Sequence, residues 1–201
     1  MERPQCRTLR ALVDLISPEF GARDGCLRIL DDHEWLFRIS YGSKRNHQAY
    51  KGGYYDHVCE CMNYAVGLYP LDASFGRPMA HTLSDALLVL FLHDIEKPWR
   101  FEVKDGIVDD REEMRSEAAK RAKREEMVKR YEIYLTDEQR NGLEFVEGEG
   151  IEYDPTKRKM GPLAAFCHKC DIQSARVWHG YPLERDDPFC GIRHSARDIP
   201  V

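Results

Sequence analysis

Hydrophobic residues recur along the chain mainly with the period of an α-helix. In residues 5–16 they occupy positions i, i+3, i+4 and i+7, which predicts an amphipathic helix with an apolar stripe of Leu9, Leu12, Val13 and Ile16. Residues 53–69 also show near-helical spacing, and Pro70 is expected just beyond the end of that helix. Residues 26–41 are ambiguous, because the segments CLRIL and WLFRISY alternate enough for a small N-terminal hairpin and also fit a helix.

The most apolar segment of the chain lies between Ala86 and Leu92, in the sequence DALLVLFLHDIEK. Since apolar and polar residues do not alternate there, the segment predicts a helix that is buried on most sides. Ser84 is the expected N-cap of this helix, and Pro98 is expected to end it. Most of the predicted elements are therefore helices.

Three further segments extend the helical pattern. Residues 109–134 carry acidic and basic residues paired at i,i+4 and few apolar positions, which predicts a solvated helix along one edge of the core. No face of that helix has a single sign of charge, so a nucleic-acid-binding role is disfavoured. A capping box that begins at Thr136 predicts a short helix. The last clear helix is expected over residues 162–179, bracketed by Pro162 and Gly180.

Composition and charge restrict the class of protein. A chain of 201 residues with 42% hydrophobic and 32% charged residues is typical of one soluble globular domain. Its net charge of -5 gives no electrostatic footprint for duplex nucleic acid. No apolar run approaches the roughly 20 residues that span a bilayer, and the N-terminus lacks the apolar core of a signal peptide. Seven cysteines, an odd number, do not indicate a disulfide framework, so a reducing, cytoplasmic location is predicted.

The candidate chemistry begins with His93 and Asp94, which end the apolar segment. Ionised groups are costly to bury unless they are paired or bind a metal. His57 lies on the preceding predicted helix, and Asp171 lies on an otherwise small and apolar stripe of the last one. Three buried helices that each offer His or Asp to a common centre would make a nitrogen and oxygen site suited to Mn, Fe, Co, Ni, Zn or Mg. Each residue alone is weak evidence, so the prediction depends on the four together.

The segments around these residues resemble the HD-domain superfamily of metal-dependent phosphohydrolases, whose pattern is H…HD…D. They read SKRNHQAYKGGYYDHVCECMNYA, LLVLFLHDIEKPW and LAAFCHKCDIQSA. The stretch NHQAYKGGYYDH contains Gly52 and Gly53 and is called the Gly-Gly entry below. It is similar to the HHAYxGGLLEH segment of one branch of the superfamily, the Gly-Gly branch, and HDIEK is similar to the HDIGK form. The resemblance covers roughly residues 44–180 apart from the charged segment, and one all-α domain is expected over residues 1–201. That domain is expected to be a helical bundle with its core at about 44–104 and 160–180 and a peripheral, charged helical insertion at about 105–150.

The resemblance also implies roles for individual residues. His57, His93, Asp94 and Asp171 are expected to coordinate a divalent metal, and Asp94 and Lys97 are expected to act in catalysis. The metal would lower the pKa of a bound water and polarise a phosphoryl group. Asp171 or Asp94 could orient or deprotonate that water, and Lys97 would neutralise a phosphoryl oxygen in the transition state.

Several further residues near these motifs have expected positions or roles. Four basic side chains flank the ligand segments and are the expected phosphate contacts, namely Lys44, Arg45, Lys51 and Arg100. His47, which matches an extra histidine of the Gly-Gly branch, and His168 are candidates for a second metal site. Glu96 stands where the HDIGK form has glycine, and its side chain is expected to face solvent.

The leading prediction is an enzyme that hydrolyses a phosphoester or phosphoanhydride of a nucleotide. A second enzyme class, 3′–5′ exonuclease action on single-stranded nucleic acid, is suggested by the Gly-Gly entry but opposed by the acidic charge and by the lack of room for a separate nucleic-acid module. An HD-type di-iron oxygenase is a third class. A catalytically idle module that binds a nucleotide is the alternative outside the enzymes. The expected partner is a small-molecule nucleotide, without a membrane or duplex nucleic acid, and a homo-oligomer is compatible with the sequence.

Overall fold

A computed structural model describes residues 6–150 and 153–178, so Gly180, the expected end of the last helix, lies outside the described residues. The helices are α1 (Leu9–Val13), α2 (Ala22–Phe37), α3 (Gly53–Ser74), α4 (Leu83–Leu92), α5 (Lys97–Arg100), α6 (Glu117–Arg130), α7 (Asp137–Phe145) and α8 (Pro162–Ile172). Two short strands, β1 (Phe101–Lys104) and β2 (Ile107–Asp110), form a hairpin, and a π-helical turn (Gln173–Val177) continues α8. Short 3₁₀ turns cover Glu19–Gly21 and Glu112–Met114. The chain is mostly helical, as its hydrophobic pattern predicts.

Helix α4 forms the centre of the core. Every residue from Ala86 to Leu92 is buried, and α4 packs against α3, α7 and α8. Its N-cap is Thr82, not Ser84 as predicted: Thr82 and Asp85 form a reciprocal capping box. The Ser84 hydroxyl instead accepts a hydrogen bond from the Ser17 backbone N–H at 2.7 Å. The sequence therefore identifies the buried helix correctly but places its start two residues late.

Of the two structures that fit residues 26–41, a small N-terminal hairpin and a helix, the hairpin is wrong, because residues 22–37 form the single helix α2. Its buried residues Cys26, Ile29, Leu30 and Phe37 recur with helical spacing and face the core. The helix predicted over residues 5–16 is also shorter than expected, since α1 covers only Leu9–Val13. The alternation in this region does not produce strands because burial follows the helical period.

Both prolines expected to end helices act differently. Pro70 lies inside α3, which continues to Ser74, and it occupies an exposed position in the last turns of that helix. Helix α4 ends at Leu92, well before Pro98. Pro98 instead lies in the first turn of α5, where its missing N–H is not needed.

The antiparallel hairpin β1–β2, which the sequence interpretation missed, spans the boundary between the predicted core and the predicted helical insertion, so the fold is not purely helical. Its two-residue loop, Asp105-Gly106, has positive φ at both positions (51° and 76°), as the tightest hairpin turns require. The helix predicted over residues 109–134 is shorter than expected, since α6 covers only Glu117–Arg130, and the capping box at Thr136 opens α7 as predicted. Helix α7 packs against α4 and α8, so it contributes to the core. None of the described helices is long and apolar enough to span a membrane.

Candidate metal centre

Four predicted ligand residues meet at one point inside the helical core. His57 comes from α3, His93 and Asp94 follow the last residue of α4, and Asp171 comes from α8. His57 Nε2 lies 3.3 Å from His93 Nε2, 3.4 Å from Asp94 Oδ2 and 3.2 Å from Asp171 Oδ1. His93 Nε2 lies 3.2 Å from Asp94 Oδ2 and 3.8 Å from Asp171 Oδ1. The structure thus brings together the ligand set that the sequence suggests.

These separations fit a shared cation. Atoms bound to one ion at about 2.0–2.2 Å stand about 2.8–3.6 Å apart when they occupy neighbouring vertices of a tetrahedron or octahedron. Four of the five separations fall in that range, and the fifth, between His93 and Asp171, is 3.8 Å. His57, His93 and Asp94 form a group that could hold a metal ion. Two imidazoles and two carboxylates form a donor set suited to divalent transition metals.

Both histidine rings are oriented by hydrogen bonds on the side away from this centre. His93 Nδ1 donates to the Leu90 carbonyl at 2.7 Å, so the neutral ring presents a lone pair at Nε2. His57 Nδ1 lies 3.0 Å from Ser174 Oγ, whose hydroxyl in turn donates to Glu60 Oε2 at 2.6 Å. Since that hydroxyl proton is engaged by Glu60, Ser174 Oγ accepts from His57 Nδ1. Outer hydrogen bonds of this kind fix the tautomer of metal-binding histidines.

The centre concentrates negative charge around the imidazoles. Burial lowers the pKa of His57, but the nearby Cys61, Asp171 and Asp94 outweigh it, and that pKa lies well above its usual value. Burial raises the pKa of Asp94, but Lys97 and His93 outweigh it, and the pKa of this carboxyl is well below its ordinary range. In the metal-free protein, these groups therefore favour a proton on His57, at a position where they would also favour a bound cation.

The sequence interpretation did not include the polar residues that support His57. Glu60 and Ser174 are both fully buried and lie three residues after His57 and Asp171, respectively. Gln48 joins them, since its Nε2 donates to Glu60 Oε2 at 3.0 Å and to Ser174 Oγ at 3.1 Å. A buried glutamate one turn from a candidate ligand was a usable signal for this network. Gln48 was not, because it reaches the network from the preceding loop.

The Gly-Gly entry has a steric cause. Gly52 has a positive φ of 88°, and a Cβ on Gly53 would lie 1.9 Å from the Gln48 carbonyl oxygen. Only glycine permits this approach of the loop to the start of α3. The pair of glycines therefore holds the loop that delivers Gln48 to the buried network.

A cysteine lies beside the candidate ligands. Cys61 Sγ is 3.8 Å from His57 Nδ1 and 3.9 Å from His57 Nε2, and it forms a second potential metal-binding group with His57 and Asp171. Burial raises the pKa of the Cys61 thiol, which disfavours the thiolate that a metal would need. The histidine and carboxylate set is therefore the better donor set here.

Lys97 is buried, and its ammonium pairs with Asp94. Burial lowers the pKa of Lys97, but Asp94 outweighs it and the pKa is raised, so the side chain stays charged. The expectation that Glu96 faces solvent is wrong. Glu96 is 3% exposed and its Oε2 lies 3.7 Å from Arg124 Nη2, because α6 covers this side of the HDIEK turn.

A cavity of about 570 Å³ opens beside Lys97. Its lining includes six basic side chains and four carboxylates: Lys44, Lys97, Arg100, Lys120, Arg121 and Arg124, with Glu96, Glu117, Glu144 and Glu147. Three of the basic residues belong to α6, which was predicted to be a solvated helix at the edge of the core. A cavity of this volume is of the size that holds a small-molecule ligand.

The four expected phosphate contacts divide into two pairs. Lys44 and Arg100 line the cavity, but both bind Asp110, with Lys44 Nζ–Oδ2 and Arg100 Nε–Oδ1 distances of 2.6 Å. Arg45 and Lys51 are exposed and are not among the residues that line the cavity. Their positions next to the motif in sequence do not direct them to the cavity, because the loop between α2 and α3 turns them outward.

The two histidines predicted for a second metal site, His47 and His168, lie in different surroundings. His47 lines the cavity, its ring centroid lies 5.0 Å from that of His57, and its buried Nε2 has no hydrogen-bond partner in the described part of the chain. Burial, followed by the charge of Lys97, lowers the pKa of His47 to about 3, so the ring is neutral. His168 Nδ1 instead donates to the Val146 carbonyl at 2.6 Å, and His168 belongs to neither potential metal-binding group of the described residues.

Comparisons of the sequence with protein-family models and curated proteins, and of the structure with solved structures, found no significant match. The function is therefore inferred from the geometry of the site and from the motif resemblance.

Proposed function

We propose that this protein is a metal-dependent phosphohydrolase of the HD type that acts on a phosphoester or phosphoanhydride of a nucleotide. The observation that carries the proposal is the convergence of His57, His93, Asp94 and Asp171, in which each carboxylate lies 3.2–3.8 Å from both imidazoles, beside a cavity lined by six basic and four acidic side chains. The nucleotide part of the proposal follows from the resemblance around HDIEK and the Gly-Gly entry.

The four convergent residues would hold the metal. When bound, a divalent ion supplies a Lewis acid for a phosphoryl oxygen and lowers the pKa of a coordinated water. The two imidazoles are already oriented by the Leu90 carbonyl and by Ser174, so the protein contributes a preformed site. Lys97 lies between this centre and the cavity, because it pairs with Asp94 and also lines the cavity.

Hydrolysis consumes one water molecule. The water oxygen forms a bond to phosphorus, the bond from phosphorus to the leaving oxygen breaks, and a water proton ends on that leaving oxygen. Asp171 is the better candidate to orient the water or accept its proton, since its side chain is 15% exposed whereas that of Asp94 is 3% exposed and held by Lys97. Lys97 can neutralise charge that develops on the phosphoryl oxygens.

A hydrolysis assay tests this proposal. The metal-stripped protein is reconstituted with Mn²⁺, Co²⁺, Ni²⁺, Zn²⁺ or Mg²⁺ and incubated with a panel of nucleotides and bis(p-nitrophenyl) phosphate, with release of phosphate or nitrophenol as the readout. We expect turnover with at least one metal, loss of turnover in Asp94→Asn, and wild-type turnover in His168→Gln, which alters a histidine outside the cluster. Nucleotide binding without turnover under every metal would support an idle binding module instead. Equal activity in wild type and Asp94→Asn would reject the metal-dependent mechanism.

A further inference from the structure

Helix α6 gives the cavity a cationic wall that the proposed hydrolysis does not use. Lys120, Arg121 and Arg124 line the cavity from consecutive turns of this helix. Arg124 lies four residues after Lys120 and three after Arg121, so its side chain neighbours both of them on the helix surface and can share a ligand with either. The wall belongs to the charged segment between the two motif-bearing helices and not to the motifs themselves.

The ion pairs of the cavity leave part of this wall available. Lys44 pairs with Asp109 and Asp110, Arg100 also pairs with Asp110, and Lys120 pairs with Glu117. Arg121 has no ion pair within 4.0 Å among the described residues, and its side chain is exposed. Arg121, which lies on α6, is therefore the guanidinium of the cavity that is least restrained by a carboxylate.

The guanidinium of Arg124 has hydrogen-bond partners for only some of its N–H groups. Its Nη1 donates to the Leu143 carbonyl at 2.9 Å, but Nη2 lies 3.7 Å from Glu96 Oε2, which is too long for a hydrogen bond. Arg124 Nε is buried without a hydrogen-bond partner in the described part of the chain. A buried donor without a partner is unfavourable, so an anionic ligand that supplied acceptors here would be stabilised.

We propose that Arg121 and Arg124 bind a second phosphoryl group of the substrate, distinct from the one that is hydrolysed. This inference rests on the proposed function and deepens it, because it assigns a substrate class with two phosphoryl groups. The phosphoryl position at Lys97 and the second one at Arg124 lie close together, because Glu96 is adjacent to Lys97 in the chain and lies beside Arg124. A cavity of about 570 Å³ holds a ligand that reaches both positions.

Arg121→Gln is the variant that tests this assignment, and Lys129→Gln is its matched control. Both residues are exposed cations of α6, so neither substitution threatens the fold, but Lys129 does not line the cavity. In the metal-free protein with EDTA present, calorimetry measures the binding of inorganic tripolyphosphate. We expect Arg121→Gln to weaken this binding about tenfold, on the scale of one charge-assisted contact, and Lys129→Gln to leave it unchanged. Equal affinity in all three proteins would overturn the proposal.

Kinetic measurements provide a second test of the proposal, which requires that the protein turns over a substrate. For a substrate with two phosphoryl groups, such as a nucleoside 3′,5′-bisphosphate or a nucleoside diphosphate, Arg121→Gln should raise KM more than it does for bis(p-nitrophenyl) phosphate. The same factor for both substrate types would contradict the second subsite. If no substrate is hydrolysed, the proposed function fails, whereas a weakened binding of tripolyphosphate by Arg121→Gln still supports the anion site. The two failures are therefore distinguishable.

Discussion

His57 Nε2 and His93 Nε2 face each other at 3.3 Å in the middle of the helical core. Both rings have Nδ1 already engaged, His57 by Ser174 and His93 by the Leu90 carbonyl. Two nitrogen lone pairs that face each other beside two carboxylates repel unless a proton or a cation lies between them. This relationship makes the orientation of the rings, and not only the identity of the ligands, a testable property of the site.

Ser174→Ala tests the orientation of His57. The substitution removes the acceptor for His57 Nδ1 and the hydroxyl that donates to the buried Glu60. We expect metal affinity to fall by about 10–100-fold, the usual effect of losing an outer hydrogen bond to a ligand. Competition with a chromophoric chelator measures this. Ser84→Ala, which also removes a hydrogen-bonded hydroxyl but at the start of α4, should keep wild-type affinity. Unchanged affinity in Ser174→Ala would mean that packing alone holds the ring.

Lys97→Ala should reveal two roles of this lysine. In the metal-free protein it removes the ammonium that pairs with the buried Asp94, and breaking such a pair costs about 3–5 kcal/mol. Saturation with metal should recover much of the lost thermal stability, because the cation then neutralises Asp94. We also expect kcat/KM to fall about 10²–10³-fold, as for the loss of one transition-state donor. Full turnover with every active substrate would remove the phosphoryl-binding role.

Gly53→Ala tests the steric basis of the Gly-Gly entry. The new Cβ would lie 1.9 Å from the Gln48 carbonyl oxygen, so the loop must move and Gln48 must leave Glu60 and Ser174. We expect a large loss of stability measured by urea unfolding, together with weaker metal binding. Gly67→Ala on the same helix is the control, since nothing lies within 4 Å of its new Cβ. That change should stabilise α3 by roughly 0.5–1 kcal/mol. Comparable effects of the two substitutions would contradict the packing described here.

Asp85→Asn should produce a pH-dependent loss of stability. Burial raises the pKa of Asp85, but hydrogen bonds from Thr82 and Gln139 outweigh it, and the pKa is lowered from 3.8. The ionised carboxylate therefore stabilises the folded state above its unfolded pKa, and this contribution disappears as the pH falls through the lower folded value. We expect a cost of about 1 kcal/mol at pH 7, the scale of a helix cap. Urea unfolding at several pH values should show the two proteins converging in acid, and a constant difference would contradict the role of charge.

The hydrophobic pattern predicted most of the helices other than α2, and the pattern together with the H…HD…D resemblance predicted which side chains converge. Helix α4 is apolar on every side because it lies at the centre of the bundle, and a buried His-Asp pair at its end needs partners. The β1–β2 hairpin was missed because each strand has four residues, although the Asp105-Gly106 turn was a usable signal. In α2 the buried residues recur every three or four positions, so the segment is a helix although apolar and polar residues also alternate locally.

The lining of the cavity depended on long-range packing and could not be predicted from positions along the chain. Glu96 is buried only because α6 folds over the HDIEK turn, and the amphipathic pattern of α6 does not indicate which element it will cover. Arg45 and Lys51 are next to the motif in sequence yet lie outside the cavity, whereas Arg121 and Arg124 reach it from a distant segment. Proximity along the chain was therefore a poor guide to the phosphate contacts.

The most direct test of the central claim is the metal content of the purified protein and of its single-ligand variants. After equilibration with Mn²⁺ or Zn²⁺ and removal of free ions, elemental analysis should find bound metal in the wild type. His57→Asn, His93→Asn, Asp94→Asn and Asp171→Asn should each lose it, while His168→Gln retains it. X-ray absorption of the bound ion should show nitrogen and oxygen ligands at about 2.0–2.2 Å. Bound metal that persists in all four ligand variants, or a wild-type protein that binds none, would contradict the account.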